Sequence, residues 1–167
     1  MNAAPVGCTD GDVKRITIYT DGSSRGNPGP GGFGTVLLFG EHEKRLSRGY
    51  VTTTNNRMEI MAALEGLRSL KEPCAVTIYS DSRYLVDTMT KGWLQGWKKN
   101  GWAKKKKSEV LKNVDLWKAM DKAIEGQEID WRWVKGHAGN EYNEICDVLA
   151  TEAADGPGKI VDEGFNA

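Results

Sequence analysis

The hydrophobic pattern changes period along the chain. Arg15-Ile16-Thr17-Ile18-Tyr19-Thr20 alternates apolar and polar residues, the signature of a half-buried strand, and ends at Asp21-Gly22. Residues 22–32 are rich in turn formers, with Pro28 and Pro30 among them, and predict a loop. Residues 33–39, an apolar run, predict a second strand, and residues 44–51 a third. The short Gly40-Glu41-His42-Glu43 link between them predicts a hairpin, so the first three strands form an antiparallel meander.

Helical spacing takes over next. Met58, Ile60, Met61, Leu64, Leu67 and Leu70 fall close to i, i+3, i+4 after the capping residues Thr54-Asn55-Asn56, which predicts an amphipathic helix over 55–70 stopped by Pro73. Further elements are a strand at 75–80, a helix at 82–91, a helix at 114–124, a strand at 129–134 and a helix at 141–154. Residues 93–107 mix tryptophan, glycine and lysine and have weak helical character. Strands come first and β-α alternation second, in the order βββ-α-β-α-(basic segment)-α-β-α. That predicts an α/β fold: a mixed sheet with helices on its faces. Residues 1–13 predict a flexible leader, 14–155 one domain, and 156–167 a tail after Gly156-Pro157-Gly158.

Composition narrows the class. With 39% hydrophobic and 28% charged residues the chain reads as a globular protein, and no apolar run is long enough to span a membrane. Residues 1–12 lack the basic and apolar regions of a secretory signal. Cys8, Cys74 and Cys146 are odd in number, far apart and without CxxC spacing, which points to a reducing, cytoplasmic setting rather than a disulfide framework or a zinc site. The 23 basic and 23 acidic residues balance, but unevenly. Residues 91–118 hold nine lysines against Glu109 and Asp115, while acids dominate 141–167. Such a split predicts a polyanion-binding stretch.

The candidate chemistry is carboxylate chemistry. Ile16-Thr17-Ile18-Tyr19-Thr20-Asp21-Gly22 is echoed by Val76-Thr77-Ile78-Tyr79-Ser80-Asp81-Ser82. If these strands are parallel neighbours, Asp21 and Asp81 sit side by side at one sheet end, where α/β sites form, and their mutual repulsion calls for a cation. Each aspartate alone could merely cap a turn. Glu59 interrupts Met58, Ile60 and Met61 on the first turn of its helix; it could serve the helix dipole, or be a half-buried carboxylate needing a partner. Asp147 lies inside the last helix beside Cys146, where an ordinary solvent-facing residue is the competing reading. An all-carboxylate set selects Mg²⁺ or Mn²⁺, and two such ions suit phosphodiester hydrolysis.

Two other features carry weaker signals. His137, in the glycine-flanked loop Lys135-Gly136-His137-Ala138-Gly139, could move protons near neutral pH, whereas His42 in the hairpin reads as idle. The stretch from Gly22 to Gly29 lacks GK[ST] and opens no helix, which rejects a nucleotide-binding P-loop. Trp93, Trp97, Trp102 and Trp117 interleave with Lys98, Lys99 and Lys104 to Lys107, which suggests lysines facing a duplex and some tryptophans packed in the core.

These motifs, in order, resemble the ribonuclease HI family from about Arg15 to Ala154. The resemblance runs through Tyr19-Thr20-Asp21-Gly22-Ser23, Gly26-Asn27-Pro28-Gly29, Thr53-Thr54-Asn55-Asn56-Arg57-Met58-Glu59, Ser80-Asp81-Ser82, Lys112-Asn113-Val114-Asp115-Leu116-Trp117, Trp133-Val134-Lys135-Gly136-His137-Ala138-Gly139 and Cys146-Asp147. It implies a ribonuclease H-like fold with a five-stranded mixed sheet and a metal-dependent endonuclease acting on the RNA strand of RNA–DNA hybrids. Asp21, Glu59, Asp81 and Asp147 would be metal ligands, with two ions when substrate is bound, and His137 would assist. Asn27, Asn55 and Asn56 would follow the hybrid's minor groove. Thr54, Arg57 and Asn113 would take a DNA-strand phosphate, and Trp93 and Trp117 would line the DNA channel. The segment 93–107, with Lys98 and Lys99, would be a basic substrate handle. Arg83 would be a further substrate-binding residue, at a position where the family often has an uncharged polar residue, and Asn140 and Tyr142 stand where relatives often have His and Pro. The implied partner is an RNA–DNA hybrid, with no membrane and a monomeric chain. Two readings compete: another nuclease on the same fold, such as a junction resolvase or transposase core, and a non-catalytic hybrid-binding module.

Overall fold

A computed structural model describes residues 13–106, 108–136 and 140–165. The strands are β1 (Lys14–Ser24), β2 (Gly29–Phe39), β3 (His42–Thr53), β4 (Cys74–Ser80) and β5 (Glu128–Trp133). The helices are α1 (Asn55–Arg68), α2 (Arg83–Thr90), α3 (Trp93–Lys99), α4 (Val114–Ala123) and α5 (Glu141–Asp155). One sheet holds all five strands in the order β3-β2-β1-β4-β5. β1 pairs antiparallel with β2, and β2 with β3, as the short hairpin link requires. β1 and β4 are parallel, and so are β4 and β5, because helices connect them. The mixed sheet and the order of elements are as the periodicity predicts, and the weakly helical basic segment contains the short helix α3.

Side-chain alternation on β2 explains why helices cover both faces. Thr35 donates its hydroxyl to the Ala62 carbonyl of α1 at 2.7 Å. Gly32 and Gly34 point the other way, against α5. A Cβ on Gly34 would sit 2.3 Å from the Cys146 carbonyl oxygen, and one on Gly32 would sit 2.6 Å from that of Ala150. The glycines therefore admit a helix backbone, not a turn. That corrects the expected loop over 22–32: β1 runs on to Ser24 and β2 begins at Gly29. The core between sheet and α1 is closed by Ile18, Phe33, Met58, Leu64, Leu67 and Ile78, with Leu85, Trp117 and Met120 extending it toward α2 and α4.

The segment after Asp155 is tied to the domain. Ile160 bridges Tyr50 in parallel; Val51 donates to the Ile160 carbonyl at 2.8 Å, and Ile160 donates to that of Gly49 at 2.9 Å. Asp162 is buried and accepts from the Thr53 hydroxyl at 2.7 Å and from the Arg57 guanidinium at 2.7 Å.

In an ordinary strand, replacing glycine by alanine stabilises by roughly 0.5–1 kcal/mol. At Gly34 the sign reverses: Gly34→Ala must push α5 off the sheet and should destabilise by about 1–3 kcal/mol in chemical denaturation. A neutral or stabilising result would mean that α5 does not rest on β2 as described.

Candidate active site

β1 and β4 are in register from Lys14↔Cys74 to Tyr19↔Tyr79, so Asp21 and Asp81 leave the sheet side by side. Each next residue is constrained. The Gly22 amide donates to Asp21 Oδ1 at 2.9 Å, and a Cβ on Gly22 would meet the Glu59 amide nitrogen at 2.5 Å. Gly22 thus lets α1 close on the strand end and bring Glu59 to the aspartates. Glu59 is the fifth residue of α1, one turn further in than expected. Its neighbours Met58 and Ile60 are fully buried, and it is 4% exposed itself. Carboxyl oxygens of Asp21, Glu59 and Asp81 all lie within 4.8 Å of one another. Asp147, on α5, meets the Asp21 side chain rather than this trio.

Such a cluster is electrostatically unfavourable as it stands. Burial first, then the Asp81 charge and the Asp147 carboxyl, push the Asp21 pKa up from 3.8 to about 8, against a lowering by the Gly22 amide. Glu59 is pushed well above its ordinary value by burial, then by Asp81 and Asp21. Glu59 Oε1 is buried with no hydrogen-bond partner among the described residues. An orphaned carboxyl oxygen facing two more carboxylates fits a hard divalent cation, which would supply the missing partner and the missing charge.

The residues expected to meet substrate are arranged around the N-terminus of α1. Thr54 caps α1, accepting from the Arg57 amide, and Asn27 Oδ1 accepts from the Asn55 amide at 3.0 Å. Asn55 and Asn56 are exposed beside them. Asn56, Tyr84, Trp93, Trp97, Lys104 and Asn113 are among the residues that line a cleft of about 540 Å³. Trp93 is exposed at its rim, Lys99 is exposed on α3, and Lys98 pairs with Asp121 at 3.0 Å. Arg83 is exposed at the first position of α2. His137 lies outside the described residues. His42 is exposed and stacks on Phe39, away from the carboxylates on the hairpin.

Two residues expected to contact the DNA strand are buried. Trp117 is fully buried against Trp97 and Tyr84, its indole N–H donating to the Tyr84 hydroxyl at 3.2 Å, so it braces the cleft from behind. Arg57 is 2% exposed, and its N–H groups are taken by Asp115, Asp162 and Asn113. It therefore holds the pocket's walls together. Asn113 keeps its place there, accepting from Arg57 and donating to Tyr84. Asp115, Asp162 and Tyr84 were not singled out beforehand. The only signal for them was Arg57 itself, a cation in an otherwise buried helix face that had to find acids.

The raised Asp21 pKa has a consequence for stability. A carboxyl that binds its proton more tightly when folded contributes stability present below its unfolded pKa and lost as pH rises through the folded one. For Asp21 that window runs from about pH 4 to about pH 8. In a chelator, thermal stability should fall across this window, and Asp21→Asn should be the more stable chain at pH 8. Equal melting temperatures there would show that the carboxylates do not repel.

The comparisons with known proteins agree with this geometry. The RNase H family matches residues 13–155. A ribonuclease H of Pseudoalteromonas atlantica is 53% identical over 92% of this chain and 99% of its own length. A ribonuclease HI of Haemophilus influenzae is 55% identical over 91% of this chain and 97% of its own. Among solved structures, LC9-RNase H1, a type 1 RNase H with the type 2 active-site motif, superposes with a TM-score of 0.77 at 33% identity, covering 87% of this chain and 74% of that one. LC11-RNase H1, solved in complex with an RNA/DNA hybrid, gives a TM-score of 0.61 at 26% identity, over 84% of this chain and 96% of that one. Matched by the family over residues 13–155 and by relatives more than half identical along nearly their whole length, the chain belongs to the RNase H family.

Proposed function

We propose that this chain is a ribonuclease H, an endonuclease that hydrolyses the RNA strand of an RNA–DNA hybrid and leaves 5′-phosphate and 3′-hydroxyl ends. The observation that carries the reading is the meeting of Asp21, Glu59 and Asp81 within 4.8 Å, with the unpartnered Glu59 oxygen among them. Asp21, Glu59, Asp81 and Asp147 would hold divalent cations, Mg²⁺ or Mn²⁺ and two with substrate bound. When bound they would activate the attacking water and stabilise the leaving oxygen.

The chain's own residues position the hybrid. Asn27, Asn55 and Asn56 stand at the N-terminus of α1, next to Glu59, where amide groups can read 2′-hydroxyls in a shallow minor groove. The cleft along Asn56, Tyr84, Trp93 and Asn113 takes the DNA strand, and Arg57, capped by Thr54, bonds Asn113 from behind that wall. Lys99, Lys104 and their neighbours supply phosphate attraction without sequence readout, so specificity for base sequence is low. His137 assists proton transfer or product release. Among the described residues no helix is long and apolar enough to cross a membrane. The odd number and wide spacing of the cysteines support reading the chain as cytoplasmic, and we take it as a monomer.

Cleavage of matched RNA–DNA hybrid, duplex DNA and duplex RNA tests this directly. With Mg²⁺ only the RNA strand of the hybrid should be cut, a chelator should stop it, and Asp21→Asn should lower turnover by more than about 100-fold while hybrid binding persists. Preference for duplex DNA, or unchanged turnover in the variant, would overturn the assignment.

A further inference from the structure

We infer that Trp133 is a positioning residue that holds Arg83 as a fixed cation for a phosphate of the cleaved strand, beside the carboxylate cluster. The inference rests on the hybrid-cleaving reading above. Trp133 is the last residue of β5, and β5 lies parallel to β4, whose end carries Asp81. The Trp133 indole N–H donates to the Asp81 carbonyl oxygen at 3.1 Å. The face of the same ring carries the Arg83 guanidinium, with Cζ 4.0 Å from the ring centroid. One side chain therefore touches both the backbone of a candidate metal ligand and the cation two residues further on. The flanking contacts are tight as well: Val134 donates to the Ser80 carbonyl at 2.9 Å, and Gly136 leaves room that a Cβ would close to 2.9 Å from Asp81 Oδ2.

Arg83 is badly placed for any purely structural role. It opens α2, where unpaired amide groups make a positive field that disfavours a cation. Among the described residues no carboxylate pairs with it. The tryptophan face attracts the guanidinium without using its N–H groups, so the planar fork stays open for a bidentate anion. The strand that is cut must lie over Asp21, Glu59 and Asp81, and a cation held against the Asp81 turn meets a phosphate of that strand. Trp133, 39% exposed, gives it a rigid platform.

A double-mutant cycle with Arg83→Gln and Trp133→Leu tests this, read as KM for an RNA–DNA hybrid over a range of salt. Arg83→Gln should raise KM about fivefold or more, leave kcat nearly unchanged and flatten the salt dependence by about one phosphate contact. Trp133→Leu should reproduce both effects, and the double variant should add little to either. Arg83→Lys, with the charge but not the fork, should fall between. If Trp133→Leu fails to fold, Trp133→Phe replaces it, and the effect of Arg83→Gln should shrink in that background. An unchanged salt slope in Arg83→Gln, or effects that multiply across the cycle, would overturn the inference. Failure of the unmodified chain to cut hybrid would instead overturn the function on which it rests.

Discussion

The repulsion among Asp21, Glu59 and Asp81 is the constraint around which this molecule is arranged. Two unit charges about 4.8 Å apart repel by roughly 3–4 kcal/mol at an effective dielectric near 20, and three such pairs meet here in a largely buried notch. Among the described residues the Gly22 amide lowers both carboxyl pKa values, and it is outweighed. The fold supports the cluster from every side: two parallel strands deliver the aspartates, α1 delivers Glu59 and α5 delivers Asp147. The raised pKa values favour bound protons on these carboxyls, and a cation that displaced those protons would complete the charge balance.

The same supports shape the surroundings. α1 positions Glu59 with its interior and presents the exposed Asn55 and Asn56 at its N-terminus. That end is fixed by Thr54, by Asn27 and by the buried Arg57, which Asp115 and Asp162 hold from α4 and the C-terminal segment. A buried ion pair contributes little net stability, but removing one partner is costly, so this lattice fixes geometry. The arrangement places the Glu59 carboxyl and the exposed Asn55 and Asn56 side chains on one helix, where loops would have left them loose.

Much of this was legible in the sequence because it is written in short-range pattern. The echoed strands foretold Asp21 and Asp81 as neighbours, and the register from Ile16↔Val76 to Tyr19↔Tyr79 is what that echo needs. Glu59 stood out as an acid among buried apolar residues. What escaped was decided by contacts between distant segments. Gly31 and Gly32 read as loop formers, yet neighbouring residues occupy the space their side chains would fill. Trp117 and Arg57 carry the chemistry of ligand contacts but are buried, and the burial comes from Tyr84, Trp97 and Asp162, far away in the chain. Ile160 and Asp162 sit in a short polar tail with no periodicity, although they close on β3 and α1.

The claim that the cluster trades protons for a divalent cation can be measured without any substrate. Titrating the chain with Mg²⁺ at pH 7 in buffers of different protonation enthalpy reports the protons exchanged on binding. With Asp21 near pKa 8 and Glu59 raised as well, binding should release at least about one proton, and the apparent heat should vary with the buffer. Binding whose heat is the same in every buffer would contradict the account.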